Sequence, residues 1–360
     1  MPKSSFIVCN WNIAGAKLLE KKEQEREAHR RLLHDELRAL IQEVGREGSP
    51  PQVITLQEVI RFGVSRPMAE DLIDRDDFKD YDIHVFPLID SHRLSSHAKW
   101  AKVIEAGDWP PHTYFAQGNA IMIHKDAPHC PVFDLPAEVL SSQFDGRHFI
   151  EQVNLESGLY FGDRDTEPRA ALVAHFVLSM PGFKCPLDLF VVNVHLTTLT
   201  MEREGIPDVD ALASKIRLAQ LDVIFTGIVS RYNSWRQRGY PQRGAKRPLK
   251  DGETEKRYPP MWVLTGDFNF TPESVEYQSI LRTNFMDVVS IKGTGTKAKG
   301  IGQHAQLTLD YIFAGPKFIS LDPLITQVKI QDNRVMHHQT VSDHYPMFAK
   351  LPIARVESED

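Results

Sequence analysis

No run of apolar residues in this 360-residue chain reaches the ~18 that a membrane span requires. The first such run, Phe6 to Cys9, starts too early and is too short for a secretory signal. Cysteine is scarce. Cys9, Cys130 and Cys185 are odd in number and far apart, which excludes a disulfide framework and the paired spacing of a structural zinc site. A reducing, cytoplasmic setting is the expected home for such a chain. There is no surplus of positive charge: a formal charge of −6 excludes a uniformly basic surface, so any contact with nucleic acid must come from a local patch. Internal repeats and low-complexity segments are also missing. What is present is an ordinary globular composition, 42% hydrophobic, long enough to bury a large α/β core.

The most informative stretch is Met261 to Ser274, MWVLTGDFNFTPES, where a short apolar run ends at Gly266 and then presents Asp267 and Asn269. Residues two apart on a strand leave the same face, so this run predicts a buried strand whose end delivers a carboxylate and an amide to one point. Gly266 would let another backbone come close. Alone, such an end is equally well a solvated cap. Other strands, however, end in the same way. SFIVCNWN, Ser5 to Asn12, predicts a strand with Asn10 and Asn12 on one face. A long amphipathic helix is expected from Leu18 to about Val44, with Leu33, Leu37, Leu40, Ile41 and Val44 at helical spacing and Gly45 and Gly48 at its stop. QVITLQEV then predicts a second buried strand ending at Gln57 and Glu58, which completes a βαβ-like opening.

Further along, GNAIMIHKD from Gly118 predicts a strand whose small residues permit close backbone approach. Arg169 to Leu178 and Leu187 to Leu196 predict a hairpin of buried strands around Pro181 and Gly182, with Asn193 and His195 sharing a face. A second amphipathic helix, Asp210 to Val229, should turn Leu212, Ile216, Leu221, Ile224 and Ile228 inward; Arg217 and Gln220 on it are left outside any site. A helix around Val275 to Leu281, a strand from LDYIFAG carrying Asp310, and a last strand carrying Ser342, Asp343 and His344 complete the pattern. Between Arg61 and Gln117 the pattern weakens to a helix near Pro67 to Ile73, a strand YDIHVF and a surface excursion. Residues 231 to 257 hold nine Arg or Lys with Tyr232, Trp235 and Tyr240 interleaved, and a second basic loop starts at Lys292.

Collected, the strand ends supply Asn12, Glu58, Asn193, His195, Asp267, Asn269, Asp310, Asp343 and His344. In open α/β folds ligands bind at strand ends, so this polar set points to one pocket. Oxygen-rich donors without cysteine suit Mg²⁺, with Mn²⁺ as a substitute. A magnesium held by one or two carboxylates beside water and a phosphate is the chemistry of phosphate-ester hydrolysis.

In order, the runs WN, LQE, GNAI, NVHL, GDFN, LDYIF and SDH resemble the endonuclease/exonuclease/phosphatase superfamily of metal-dependent phosphodiesterases, with some similarity to its deadenylase and nocturnin branch in GDFNFTPESVEY and LDYIFAGP. The opening CNWN departs from that branch. The resemblance implies a four-layer α/β sandwich of two packed, mainly antiparallel sheets flanked by helices. It implies Glu58 and Asn12 at the Mg²⁺, with Asp343 taking part; His344 as general base oriented by Asp310; Asp267 and Asn269 positioning water and a phosphate oxygen; and His195 at the phosphate or leaving group.

Arg169, opening an apolar strand, is a candidate phosphate contact through its forked guanidinium. Arg236 and Arg238 in the basic, aromatic insert are candidates for a nucleic-acid substrate, because cations neutralise phosphates and aromatic faces stack bases. The alternative is a phosphatase or phospholipase-C-like hydrolase of a phosphoinositide, sphingomyelin or small phosphate ester. The expected organisation is one catalytic domain, 1–355, with inserts near 61–117 and 231–257 and a frayed tail at 356–360.

Overall fold

The computed structural model describes residues 5–19, 21–46, 48–63, 70–71, 73, 76–90, 105–110, 113–128, 142–144, 149–159, 166–178, 187–197, 207–233, 260–289, 307–315, 334–335 and 342–352. In chain order the elements are β1 (Ser5–Asn12), α1 (Glu23–Gly45), β2 (Val53–Gly63), β3 (Glu70–Asp71), β4 (Tyr81–Asp90), β5 (Tyr114–His124), β6 (Ser142–Phe144), β7 (Phe149–Leu159), β8 (Thr166–Leu178) and β9 (Leu187–His195). There follow α2 (Pro207–Asp222), β10 (Met261–Asp267), α3 (Val275–Arg282), β11 (Met286–Asp287), β12 (Asp310–Gly315), β13 (Arg334–Val335) and β14 (Met347–Pro352). A 3-10 turn, Gly15–Leu18, precedes α1, and α2 runs on into a π-helical segment, Val223–Ser230. None of the described helices is long and apolar enough to cross a membrane.

The strands form two seven-stranded sheets. One has the order β13-β14-β1-β2-β5-β4 with β3 paired to β2, and the other β11-β12-β10-β9-β8-β7-β6. Each contains one central parallel pair, β1 with β2 and β9 with β10, and is otherwise antiparallel. The alternation of apolar residues along the strands gives each sheet two apolar faces, and three main cores result. Phe6, Val8, Val53, Ile121, Leu172, Leu189, Val191 and Val263 fill the space between the sheets. Ile7, Cys9, Trp11, Ile54 and Met122 meet Leu33, Leu37, Leu40 and Val44 of α1 on one outside. Val192, Val194, Trp262 and Leu264 meet Leu221, Ile224, Ile228 and Ile280 on the other. This is the expected α/β sandwich of four layers.

Several local expectations are corrected. The first helix begins at Glu23 rather than Leu18, because the chain first makes the 3-10 turn that buries Leu18. The expected helix near Pro67 is not formed at Glu70–Asp71, which pair as a strand with Arg61 and Phe62; residues 64–69 lie outside the described residues. The expected strand YDIHVF forms as β4, and because its Ile83, Val85 and Phe86 are buried this part of the region belongs to the core and not to a surface excursion. On α2, Leu212 is 43% exposed, while Arg217 and Gln220 occupy the inward stripe with Ala213 and Leu221. The polar pair is satisfied there: Arg217 Nε donates to Glu276 at 2.9 Å, and Gln220 Oε1 accepts from the Thr197 amide at 3.0 Å.

Between the sheets, the inward positions of the parallel strands change character along their length. β1 presents Phe6, Val8, Asn10 and Asn12; β2 presents Val53, Thr55 and Gln57; β9 presents Leu189, Val191, Asn193 and His195; β10 presents Met261, Val263, Thr265 and Asp267. The polar steps are hydrogen-bonded across the gap. Thr265 Oγ1 donates to Thr55 Oγ1 at 2.7 Å, and Gln57 Nε2 donates to Asn10 Oδ1 at 2.9 Å and Asn193 Oδ1 at 2.7 Å. Asn193 Nδ2 donates to the carbonyls of Leu56 and Ala120. Leaving one such buried group unpaired costs about 1–3 kcal/mol, so this network fixes how the sheets sit over each other at the end where the ionisable groups begin.

Candidate active site

Strand register brings the ionisable groups together. In β10, Asp267 lies beside His195 of β9 and opposite Asp310 of β12, so one sheet supplies three of them at a single level. The other supplies Asn12, level with Gln57. Glu58 follows in a β-bulge between Leu56 and Val59, with φ +57°. Bulges re-aim side chains beside active sites, and this one turns Glu58 toward Asn12: β2 does not end at Glu58, as expected from its sequence, but is kinked there and continues to Gly63. Gly266 permits the close packing beneath. Its φ is +146°, and a Cβ there would lie 1.9 Å from the Val194 carbonyl oxygen.

Asp267 and Asn269 do converge, although not by strand alternation. The strand stops at Asp267; Asn269 adopts φ +53° and its backbone amide donates to Asp267 Oδ1 at 3.0 Å, an Asx turn that both side chains suit. The Asn269 side chain then donates to the Leu196 carbonyl. His344 precedes β14 rather than lying on it. Its backbone is held at two points: Trp11 Nε1 donates to its carbonyl at 3.0 Å, and its amide donates to Ser342 Oγ, which in turn donates to the Asn12 carbonyl at 2.6 Å. Sequence reasoning passed over Trp11 and Ser342 as anchors, though WN and SDH contain them.

The centre is a hydrogen-bonded cluster. His344 Nδ1 lies 2.7 Å from Asp310 Oδ2, and its Nε2 lies 3.8 Å from Asp267 Oδ2. His195 Nε2 is also 3.8 Å from that Asp267 oxygen. Asn12 Nδ2 donates to both Asp267 Oδ2 at 2.9 Å and Glu58 Oε1 at 3.1 Å, which links the two sheets' carboxylates through one amide. Arg169 is buried behind them and its Nη1 donates to the His195 carbonyl at 3.3 Å. At the rim, Asp343 accepts from Lys17 Nζ at 2.8 Å.

Burial and crowding set the charges. Burial and the neighbouring Asp310 push Asp267 up to about 7, and burial with the charge of Asp343 raises Glu58. Burial opposes charge on His344, but Asp310 and Asp267 outweigh it and lift the imidazole to about 10. Burial, then Arg169 and His344, hold His195 well below its ordinary range. Two imidazoles facing one carboxylate oxygen therefore carry opposite tendencies, His344 cationic and His195 neutral.

Among the expected site residues, Asn12, Glu58, His195, Asp267, Asn269, Asp310, Asp343 and His344 are gathered here, with Arg169 at the back. Asn193 is not in the cluster: both ends of its fully buried amide are used between the sheets, because its inward position lies one step below His195. Arg236, Arg238 and the loop from Lys292 lie outside the described residues. The start of the basic insert is structural, with Arg231 and Tyr232 both bonded to Glu151.

Glu58 and Asp267, joined by Asn12, form an oxygen donor set that fits a hard divalent cation. The ligand atoms of Asp267, Asp310 and His344 also lie within 4.8 Å of one another. The Asp310–His344 hydrogen bond already occupies facing atoms of that trio, which leaves Glu58 and Asp267 as the better donors.

A sandwich of two sheets with carboxylates, amides and imidazoles meeting over its central parallel strands defines a hydrolase-type centre. The chain belongs to the endonuclease/exonuclease/phosphatase family, whose model matches residues 9–344 and whose members hydrolyse phosphoester bonds. Among solved structures it is similar to the endonuclease/exonuclease/phosphatase from Bacteroides vulgatus, at 17% identity and TM-score 0.51, covering 98% of this chain and 100% of that one. It also matches the human nocturnin catalytic domain with bound sulfate, at 14% identity and TM-score 0.48, covering 97% and 94%. A further match is TDP2 from D. rerio in complex with a single-strand DNA product, at 13% identity and TM-score 0.46, covering 96% and 98%. No curated protein matches the sequence.

Proposed function

We propose that this protein is a divalent-metal-dependent phosphodiesterase that cleaves nucleic acid by direct attack of water on phosphorus. The observation that carries the reading is the convergence of His344, from the turn before β14, and His195, at the end of β9, on the same oxygen of Asp267 at 3.8 Å. At that distance neither imidazole nitrogen makes a full hydrogen bond to the carboxylate, so both keep hydrogen-bonding capacity for a water or a phosphate oxygen at the site. Mg²⁺ held by Glu58 and Asp267, with Asn12 beside them, would supply Lewis-acid polarisation of a phosphoryl oxygen. The remaining work falls to the chain. Asp310 fixes the His344 ring through Nδ1, which leaves Nε2 to take the proton from water. That requires a neutral ring, so His344 is a competent base only once the carboxylates that hold its proton are otherwise compensated. His195 and the Asn269 amide orient phosphate oxygens, and buried Arg169 adds fixed positive potential behind the developing anion.

Nucleic acid is favoured over a lipid head group by the basic, aromatic composition of 231–257. The test incubates the protein with labelled single- and double-stranded DNA, RNA, a poly(A) oligonucleotide and a phosphoinositide, each with Mg²⁺ or EDTA, beside Asp267→Asn. Cleavage of a nucleic acid that is lost with EDTA and with the variant is expected. Release of phosphate or head group from the lipid alone would replace this reading with a phosphatase.

A further inference from the structure

Among the residues expected at the metal, Asp343 is the one that the fold gives to another cation. Asn12 organises both partners. Its side chain accepts from the Ala14 amide at 3.0 Å and so starts the 3-10 turn, in which Ala14 takes φ +48° and the Lys17 amide donates to the Ala14 carbonyl at 3.0 Å. Leu18 and Leu19, both buried, pin the end of that turn. The Asn12 carbonyl accepts from Ser342 Oγ at 2.6 Å, which fixes the backbone beside Asp343. Lys17 Nζ then meets Asp343 Oδ1 at 2.8 Å, the short distance of a charge-assisted hydrogen bond.

Exposed ion pairs are common and weak, and Arg31 with Glu27, one turn apart on α1, is of that kind. Lys17 and Asp343 differ in two respects. They stand 326 positions apart with both backbones tied to Asn12, so the tertiary fold sets the pair rather than proximity on one helix. The carboxylate also belongs electrically to the cluster. Burial and then the charge of Asp343 raise Glu58; against the burial of His344, the same charge adds to those of Asp310 and Asp267 in raising that imidazole. A divalent ion drawn to Asp343 would have to displace the ammonium or share the carboxylate with it, and two cations on one carboxylate repel each other.

We propose that Lys17 is a resident counter-cation that keeps Asp343 out of the metal's coordination, so that the site takes a single divalent ion, at Glu58 and Asp267. The proposal rests on the divalent-metal reading and deepens it: it fixes the number of ions and withdraws one ligand that the sequence resemblance implies. Lys17 is a positioning residue in this account. It acts on the metal through the carboxylate that it occupies.

The test counts Mn²⁺ bound to EDTA-stripped, desalted protein, by loss of the free-ion electron paramagnetic resonance signal and by isothermal titration calorimetry. The unaltered protein should bind one Mn²⁺ per chain, and Asp267→Asn should lose it. Lys17→Met removes the ammonium, keeps an apolar stem and releases Asp343, so it should bind a second ion. In Lys17→Met/Asp343→Asn both charges of the pair are gone. That variant should return to one ion, with an affinity within about fivefold of the unaltered protein, because a neutralised pair leaves little net field at the remaining site. Two ions in the unaltered protein, one in Lys17→Met or two in the double variant would overturn the proposal. A larger loss of affinity in the double variant would also overturn it, since Asp343 would then be a ligand of the first ion. An unaltered protein that binds no Mn²⁺, or that binds it no better than Asp267→Asn does, would instead defeat the metal reading at Glu58 and Asp267, and the proposal with it.

Discussion

Two buried histidine–aspartate pairs in this molecule are built almost alike and are surrounded in opposite ways. His344 meets Asp310 at 2.7 Å, and His175 meets Asp188 at 3.0 Å; in each, the histidine is no more than 6% exposed and the carboxylate no more than 7%. His175 lies on the outer side of the second sheet, where its ring stacks on Phe190 at 4.3 Å and 8°, and Phe190 stacks in turn on Trp262. His344 meets carboxylates instead. Its other nitrogen faces Asp267, and the charges of Asp267 and Asp343 both act on it. A histidine–carboxylate pair is therefore not by itself a catalytic feature. What separates the two is what else the ring meets: an aromatic ring stacked on the face of His175, against a further carboxylate at Nε2 of His344.

The comparison breaks most visibly in activity. His344→Ala should lower turnover by roughly 10²–10⁴-fold, the usual contribution of a positioned base. His175→Ala should leave turnover within about twofold, while lowering thermal stability by removing a stacked ring and its hydrogen bond to Asp188. Steady-state rates on whichever phosphodiester the protein cleaves, with melting curves for both variants, decide it. Equal losses of turnover would mean that the surroundings do not distinguish the pairs.

The same contrast explains what was readable in the sequence. Asn12, His195 and Asp267 each end an inward row that runs from Val or Leu through Asn or Thr to an ionisable or amide residue, and period-two alternation exposes such rows directly. The apolar runs gave the βαβ-like opening of β1, α1 and β2, whereas the two-sheet sandwich came from the family resemblance and the pairing of β9 with β10 from neither. Three things were hidden. The bulge at Glu58 depends on a positive φ that no composition signals. Asn193 shares the parity of His195, and its depth one step lower is a matter of how the sheets are stacked. Arg217 and Gln220 replace aliphatic residues in the buried stripe of α2 because Glu276 and the Thr197 amide, far away in sequence, satisfy them. Long-range partners decide such positions, and local pattern does not contain them.

Cation binding should sharpen the contrast at a smaller scale. A ligand that binds only the folded protein stabilises it by about 2.7 kcal/mol at a hundredfold excess over Kd. For Mg²⁺ added to EDTA-treated protein, this corresponds to a melting-temperature rise of about 4 °C. His175→Ala should retain the rise from its lower baseline, and Asp267→Asn should lose most of it. Differential scanning fluorimetry across a Mg²⁺ titration measures both. A full rise in Asp267→Asn would move the cation away from that carboxylate.

The smallest effect concerns the one carboxylate that sets His344 apart, in protein kept free of metal. Asp267 is raised to about 7 from an ordinary 3.8, chiefly by burial and Asp310, so folding disfavours its ionised form. The penalty is absent below about pH 4, grows as pH rises through the window between 3.8 and 7, and is complete above it. The uncharged amide of the Asp267→Asn variant carries no such penalty. It does, however, withdraw one of the charges that hold the proton on His344, whose own raised affinity stabilises the fold below about 6.5 and is lost as pH climbs toward 10. The two contributions oppose each other, so Asp267→Asn should melt only about 1–3 °C above the parent at pH 8 in EDTA, with a smaller difference at pH 5. A variant that is less stable than the parent at pH 8 would show that the carboxylate is held there by His344 rather than in spite of Asp310. The acid surplus that distinguishes this pair from His175–Asp188 would then be already neutralised by the protein itself.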